Sequence, residues 1–260
     1  MSLIVLDKSW LIGTSASELT SRAKQDDYLV IAALFYEILS TARKDQRDQC
    51  FRKLKSVENS CVLIEHVGHF LNYEFTNNRK CTPIAKLALD RDFSFNKEFA
   101  DRGFPFTNEQ LEALEYSKNT WELDGVVDYV ELAESIDSFI PELEGETSDT
   151  EIENLKKRTA RDHDLIQRMM AAFKSRLPDP SLVNEDWAIY RWIQSRLIAG
   201  IDYKRKYRGH KRILTIDKLA NERLDLEYLI TGLLAGALAS RDDLLVQNCR
   251  IASDTISIIE

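Results

Sequence analysis

The chain opens with a short, unbroken aliphatic run that ends in an acid, LIVLD over residues 3–7. Continuous apolar character over so few positions is the pattern of a strand covered on both faces, as in a parallel sheet. SASELTSRAK, residues 15–24, supplies Ser and Thr caps and then helix formers. YLVIA from Tyr28 predicts a second strand, which feeds a helix through ALFYEILSTARK. A charged helical stretch, DQRDQCFRKLKS, leads to CVLIEHV, a third strand candidate. Alternation of strand and helix predicts an α/β fold.

Between about residues 68 and 215 the pattern turns to helix and loop with little strand signal. NEQLEALEYSKNTWELDGVVDYVELAESIDSFI has apolar residues at three- and four-residue spacing, interrupted at Gly125, which predicts two packed helices. The acidic run ELEGETSDTEIE, residues 142–153, predicts a polar loop. NLKKRTARDHDLIQRMMAAFKSRL resumes helix and stops at Pro178 and Pro180. EDWAIYRWIQSRLIAGI is a further amphipathic helix, with Trp187, Ile189, Tyr190, Trp192 and Ile193 on its core face. The last 45 residues return to the opening pattern: IDKLANERLDLEYLITGLLAGA as helix, LAS as a short strand, RDDLLVQNCRIA as helix and TISII as a closing β-branched strand. The two ends, residues 1–67 and 216–260, therefore predict one shared sheet, with a mainly helical insertion at 68–215 between them.

Composition narrows the class. With 44% hydrophobic and 30% charged residues over 260 positions, the chain is ordinary globular protein. No stretch approaches the roughly 20 apolar residues needed to span a bilayer. No basic region precedes an apolar core at the start, so the sequence predicts a soluble, cytoplasmic protein without a membrane segment. Cys50, Cys61, Cys81 and Cys249 form no CxxC pair, which argues against a zinc site and a disulfide scaffold. A net charge of −8 argues against coating nucleic acid through charge alone, and leaves room for a local basic patch. GxGxxG, GxxxxGK[ST] and GxSxG are all absent, so nucleotide sites and a serine nucleophile have no sequence support.

Four carboxylates stand where chemistry is expected. In an open parallel sheet, ligands bind beyond the carboxyl ends of the strands, at the crevice where strand order reverses. Asp7 directly follows the first predicted strand and Asp242 follows another, ALAS. Glu37 lies inside the apolar helix ALFYEIL and Asp225 inside RLDLEYLITGLL, uncomfortable places for a charge unless something compensates it. Carboxylates converging on one crevice repel one another unless cations bind among them. Mg2+ and Mn2+ suit an all-oxygen site, and two such ions can activate water and stabilise a leaving oxygen in phosphodiester hydrolysis. Structural roles compete with this. Asp7 could cap the following helix, Glu37 could pair with Arg43 or another base, Asp225 could be a solvated helix position, and Asp242 could be an N-cap.

LIVLDKS, the Glu of FYEIL, and LDLEYLITGLLAGALASRDDLL together resemble the PIN-like nuclease superfamily. The shared pattern is an Asp after the first strand, a Glu in the second helix, an Asp opening a later helix and a Thr/Ser-x-Asp about 17 residues on. Ser240-Arg241-Asp242 stands at that last position, with Asp225 17 residues before Asp242. The resemblance covers about residues 3–40 and 216–260. It implies a PIN-like α/β/α sandwich with a central parallel sheet, into which this chain carries a large helical insertion. It also implies a divalent-metal-dependent phosphodiesterase, an endoribonuclease, hydrolysing RNA with a metal-activated water. Asp7, Glu37, Asp225 and Asp242 would be both the catalytic residues and the ligands of Mg2+ or Mn2+, with Ser240 in support. Asp217, Glu222 and Glu227 rival Asp225, and Asp243 rivals Asp242. A PIN-like scaffold that binds RNA or a protein without cutting is the alternative.

DYKRKYRGHKR, residues 202–212, interleaves Lys204, Arg205, Lys206, Arg208, Lys211 and Arg212 with Tyr203, Tyr207 and His210. Cations neutralise phosphates and aromatic faces stack on unpaired bases, so Lys204, Arg205, Lys206, Tyr207, Arg208, Lys211 and Arg212 are candidates for binding single-stranded or structured RNA. A solvated basic loop is the structural alternative. Arg205-x4-His210 and Arg158-x4-His163 also resemble the Arg-x4–6-His motif of HEPN-type ribonucleases, which work without metal. His66 and His69, Met169-Met170 and the tryptophans at 187 and 192 fit structural roles better than a metal or cofactor site. A homo-oligomer or a protein partner is compatible with the sequence.

Overall fold

The computed structural model describes residues 2–90, 107–109, 112, 136, 138–141, 148–172, 178–207 and 216–260. Within these, residues 89–90, 172, 206–207 and 216–221 are described by backbone alone. The first part of the chain forms β1 (Leu3–Leu6), α1 (Lys8–Gly13), α2 (Ala16–Arg22), β2 (Asp27–Ile31), α3 (Ala32–Leu39), α4 (Lys44–Ser56), β3 (Cys61–Ile64), α5 (Val67–Asn77) and β4 (Ala88–Asp90). Then come α6 (Asp149–Ala160), α7 (His163–Ala172), α8 (Ala188–Tyr207), α9 (Ile216–Ala235), β5 (Ala237–Ala239), α10 (Asp243–Ala252) and β6 (Ser257–Ile259). The fold is α/β, as expected. Among the described residues, no helix is long and apolar enough to cross a membrane.

The sheet order is β4-β3-β2-β1-β5-β6. Every neighbouring pair is parallel except β3 and β4. Five parallel strands thus join the two ends of the chain, with β1 beside β5 in the register Val5↔Leu238 and Leu6↔Ala239. From β1 the chain moves one way, to β2 and β3, whereas β5 and β6 lie on the other side of β1. Right-handed crossovers travelling in opposite directions put their helices on opposite faces. The contacts agree: α1 to α4 pack among themselves, while α9 covers β1 and β5 and packs on α8 and α10. The order reverses between β1 and β5, so the crevice at their carboxyl ends is the expected ligand site.

Local chemistry explains these elements. Val5, Leu6, Leu29, Val30 and Leu238 are fully buried, as central parallel strands require. Gly232 lets α9 approach β5, since a Cβ there would sit 3.3 Å from the Leu238 Cβ. Gly236, at φ 81°, supplies the left-handed residue that stops α9 and turns the chain into β5.

Two predicted features differ. β4 lies in the stretch read as lacking strands; ALD has no β-branched residue to announce it, and the open edge of β3 supplies the partner. Residues 149–153, read as loop, begin α6. Ser148 and Glu151 form a capping box, in which the Ser148 hydroxyl accepts the Glu151 N–H at 3.2 Å and Glu151 accepts the Ser148 N–H at 2.9 Å. Residues 142–147 and most of the two helices expected around Gly125 lie outside the described residues.

A second apolar cluster gathers Ile152, Leu155, Ile166, Met170, Trp187 and Ile193 from α6, α7, α8 and the turn before α8. α8 touches both cores, because Ala188 and Ile198 join the sheet cluster while Ile189 and Tyr190 join the helical one. Met169, Met170 and Trp187 are buried there, in the structural role expected for them. Glu74 of α5 is fully buried at this junction and accepts the N–H groups of Cys81 (3.1 Å), Ala188 (2.7 Å) and Ile189 (3.0 Å). The four cysteines are buried and free of disulfides.

Candidate functional site

Asp7 leaves β1 with its N–H bonded to Ala239 O at 3.0 Å, which fixes it at the carboxyl end of the β1–β5 pair. It occupies the N-cap position of α1, but its side chain forms no capping hydrogen bond. Instead Oδ2 accepts the hydroxyls of Ser240, at 2.6 Å, and of Ser9. Ser9 Oγ also accepts the Arg241 N–H at 2.9 Å, and Ser240 Oγ accepts the Asp242 N–H at 3.0 Å. Two loops are therefore stitched together through Asp7. Burial pushes its pKa up, and the Ser240 and Ser9 hydroxyls oppose that rise.

Asp242 follows β5 and caps α10, accepting the Leu245 N–H on Oδ1 at 2.9 Å. The N-cap role foreseen for it is thus real. Asp243 lies exposed in the first turn of α10.

Glu37, in the second turn of α3, accepts the Tyr228 hydroxyl on Oε2 at 2.5 Å and has Lys8 Nζ 3.8 Å from Oε1. Of the bases considered for Glu37, Arg43 pairs with Asp45 at 2.7 Å, and the partner is another base, Lys8. Burial raises the Glu37 pKa; Lys8 and Tyr228 counteract this, while Asp7 and Asp242 add to it.

Asp225 lies one turn before Tyr228 in α9 and is half-buried, not a solvated helix position. Among the described residues it makes no hydrogen bond or ion pair. Burial, followed by the charges of Asp242, Glu37, Asp7 and Glu222, pushes its pKa up to about 8. Every pair among Asp7, Glu37, Asp225 and Asp242 therefore repels. Even so, no three His, Cys, Asp or Glu among the described residues are gathered closely enough to form a ready-made metal-binding group. The acids share one electrostatic field without closing into a cage. Their all-oxygen donor set suits Mg2+ or Mn2+, and a divalent ion would offset the repulsion that Lys8 leaves.

Of the rivals, Glu227 accepts the Val67 N–H at 2.8 Å at the start of α5, a structural use away from the other acids. The charge of Glu222 adds to the rise at Asp225. The Asp217 side chain lies outside the described residues. Three contributors escaped the sequence reading: Lys8, Ser9 and Tyr228. Ser9 stands two residues after Asp7 and Tyr228 three after Asp225, so helical spacing on α9 was the available signal for the tyrosine.

The basic stretch begins inside α8 and is partly engaged. Arg205 pairs with Asp149, and Asp202 pairs with the buried Lys156 at 2.7 Å, which also donates to Asn248 at 2.9 Å. Lys204 is half-buried. The Lys206 and Tyr207 side chains, and Arg208, His210, Lys211 and Arg212 entirely, lie outside the described residues. For the second Arg-x4-His pair, Arg158 is exposed in the last turn of α6. His163 opens α7, with Nε2 2.9 Å from the Gln167 amide nitrogen and its ring 5.5 Å from that of Tyr190. His66 is the N-cap residue of α5 and His69 lies in its first turn.

Comparison with protein-family models, with curated proteins and with solved structures finds no match. The geometry at the β1–β5 crevice therefore carries the functional reading.

Positioning through hydroxyls gives a direct test. Tyr228→Phe removes the donor to Glu37 and Ser240→Ala removes one donor to Asp7. Each should weaken any affinity for Mn2+ about 10- to 100-fold, the usual cost of losing a group that orients a ligand, while circular dichroism stays unchanged. Wild-type Mn2+ affinity in both variants would remove these hydroxyls from the site.

Proposed function

We propose that this protein is a divalent-metal-dependent phosphodiesterase of PIN-like architecture that cuts nucleic acid. RNA is the substrate implied by the resemblance of LIVLDKS, FYEIL and LDLEYLITGLLAGALASRDDLL. One observation carries the reading. Four carboxylates far apart in sequence, Asp7, Glu37, Asp225 and Asp242, share one field at the point where the strand order reverses.

These four residues would hold Mg2+ or Mn2+, which when bound supplies Lewis-acid stabilisation of phosphoryl charge and an acidified water. The chain's own contribution is placement. Ser9 and Ser240 fix the orientation of Asp7, Tyr228 fixes Glu37, and the cap to Leu245 fixes Asp242. Lys8 sets a positive charge beside Glu37 at the rim, where a non-bridging phosphate oxygen would gain from it. No protein nucleophile is needed.

A second reading draws on the structural uses of the same acids. Asp242 caps α10 and Glu37 pairs with Lys8, as they would in a scaffold that binds RNA or a protein without cutting. Cleavage of end-labelled single-stranded RNA and DNA in manganese, magnesium and EDTA separates the two. Metal-dependent cutting lost in Asp7→Asn but kept in Arg205→Ala/His210→Ala is the expected result. Cutting that survives EDTA and disappears in the double variant would replace the acidic centre with the Arg/His pair. No cutting of either strand would favour the scaffold.

A further inference from the structure

Beside the acidic centre stands a cation that lies over the end of α1. Arg241 lies between Ser240 and Asp242, and its N–H is held by Ser9 Oγ, the hydroxyl that also holds Asp7. Its exposed side chain crosses the end of α1 directly over Gly13. A Cβ built on Gly13 would lie 2.4 Å from Arg241 Nη1 and 2.9 Å from Cζ. The missing side chain at Gly13 is what makes room for the guanidinium.

Among the described residues this guanidinium makes no hydrogen bond or ion pair, although its chain neighbour Asp242 is an acid of the centre. A second cation adjoins it. Lys53 Nζ is anchored on the Leu11 and Ile12 carbonyls, at 2.7 and 2.9 Å, and is near enough for the Arg241 charge to act on it. Two positive charges that feel one another, neither paired with a carboxylate among the described residues, favour an anion near them. The forked guanidinium matches phosphate oxygens in two places at once.

We propose that Arg241, seated on Gly13, grips a backbone phosphate of the nucleic-acid strand next to the one held at the acidic centre. The proposal rests on the phosphodiesterase reading and assigns its substrate contact. It makes Arg241 a positioning residue that acts on the strand without regard to base identity. Its loss should raise KM and leave kcat nearly unchanged. Losing one phosphate contact on a single strand should also make the logarithmic dependence of kcat/KM on salt shallower by about 0.7.

Steady-state cleavage of single-stranded RNA in manganese, at several salt concentrations, tests this on the full chain. Arg241→Ala should raise KM about tenfold and show the shallower slope. Arg241→Lys, which keeps the charge without the fork, should retain the slope and recover part of the affinity. Gly13→Ala, which pushes the guanidinium from its seat, should raise KM with the charge intact. Wild-type KM and slope in Arg241→Ala would overturn the proposal and leave the phosphodiesterase reading standing. A raised KM with an unchanged slope would overturn it too, because it marks a structural role. A wild-type protein that cuts nothing would remove both.

Discussion

In EDTA at pH 8.5, Asp225→Asn should melt about 5 °C higher than the wild type. The carboxyl of Asp225 has its pKa pushed up to about 8 by burial and by four neighbouring acids, against 3.8 for a free aspartate. Between those values the folded protein binds more protons than the unfolded chain, so stability falls as pH rises through the window. Above pH 8 the folded state must carry the ionised group. A shift of this size would be worth up to roughly 6 kcal/mol at 1.36 kcal/mol per pH unit, and half-burial with solvent screening reduces it to about 2 kcal/mol. For a chain of this length that amounts to about 5 °C. Below pH 4 both side chains are neutral and the advantage should vanish. Saturating Mn2+ should reverse the order above pH 8, since an ion bound only by the folded wild type stabilises it by about 2.7 kcal/mol at 100 times its Kd. Scanning fluorimetry across pH, with and without Mn2+, reads all of this. An Asn variant that melts lower in EDTA at pH 8.5 would contradict the field assigned to the site.

Glu74→Ala should lose about 3–5 kcal/mol of unfolding free energy. Its buried carboxylate is the acceptor for three backbone N–H groups. Two of them, Ala188 and Ile189, open α8, where the orphan donors of a helix start need an acceptor. Alanine leaves those donors dry and adds a cavity at the junction of the two apolar clusters. Glu74→Gln keeps one acceptor oxygen and should lose less. Urea denaturation followed by tryptophan fluorescence measures both. An alanine variant as stable as the wild type would show that α8 is held by its apolar stripe alone.

The sheet was legible because its strands are short, apolar and bounded by helix signals. LIVL, DYLVI and CVLI announce themselves, and even ALA is bracketed by a strong helix and a capped one. β4 was not, since its three residues become a strand only through pairing with β3. The start of α6 was hidden by acidic composition, although Ser148 and Glu151 at capping-box spacing were there to be read. In the candidate site, strand ends and acids in apolar surroundings pointed to Asp7, Glu37, Asp225 and Asp242. Tertiary contacts chose among their neighbours, because only the fold shows Glu227 on the α5 N-terminus and Arg43 on Asp45. A lysine or a serine such as Lys8 or Ser9 carries no signal until the partner it touches is known, and the helical spacing that links Tyr228 to Asp225 does not by itself point to Glu37.

Calorimetric titration of Mn2+ into the full chain tests most directly whether the four carboxylates at the β1–β5 crevice form a divalent-cation site. The wild type should bind saturably, Asp7→Asn and Asp225→Asn should not bind, and Glu227→Gln should bind as the wild type does. Failure of the wild type to bind Mn2+, or equal binding by Asp7→Asn, would contradict such a site.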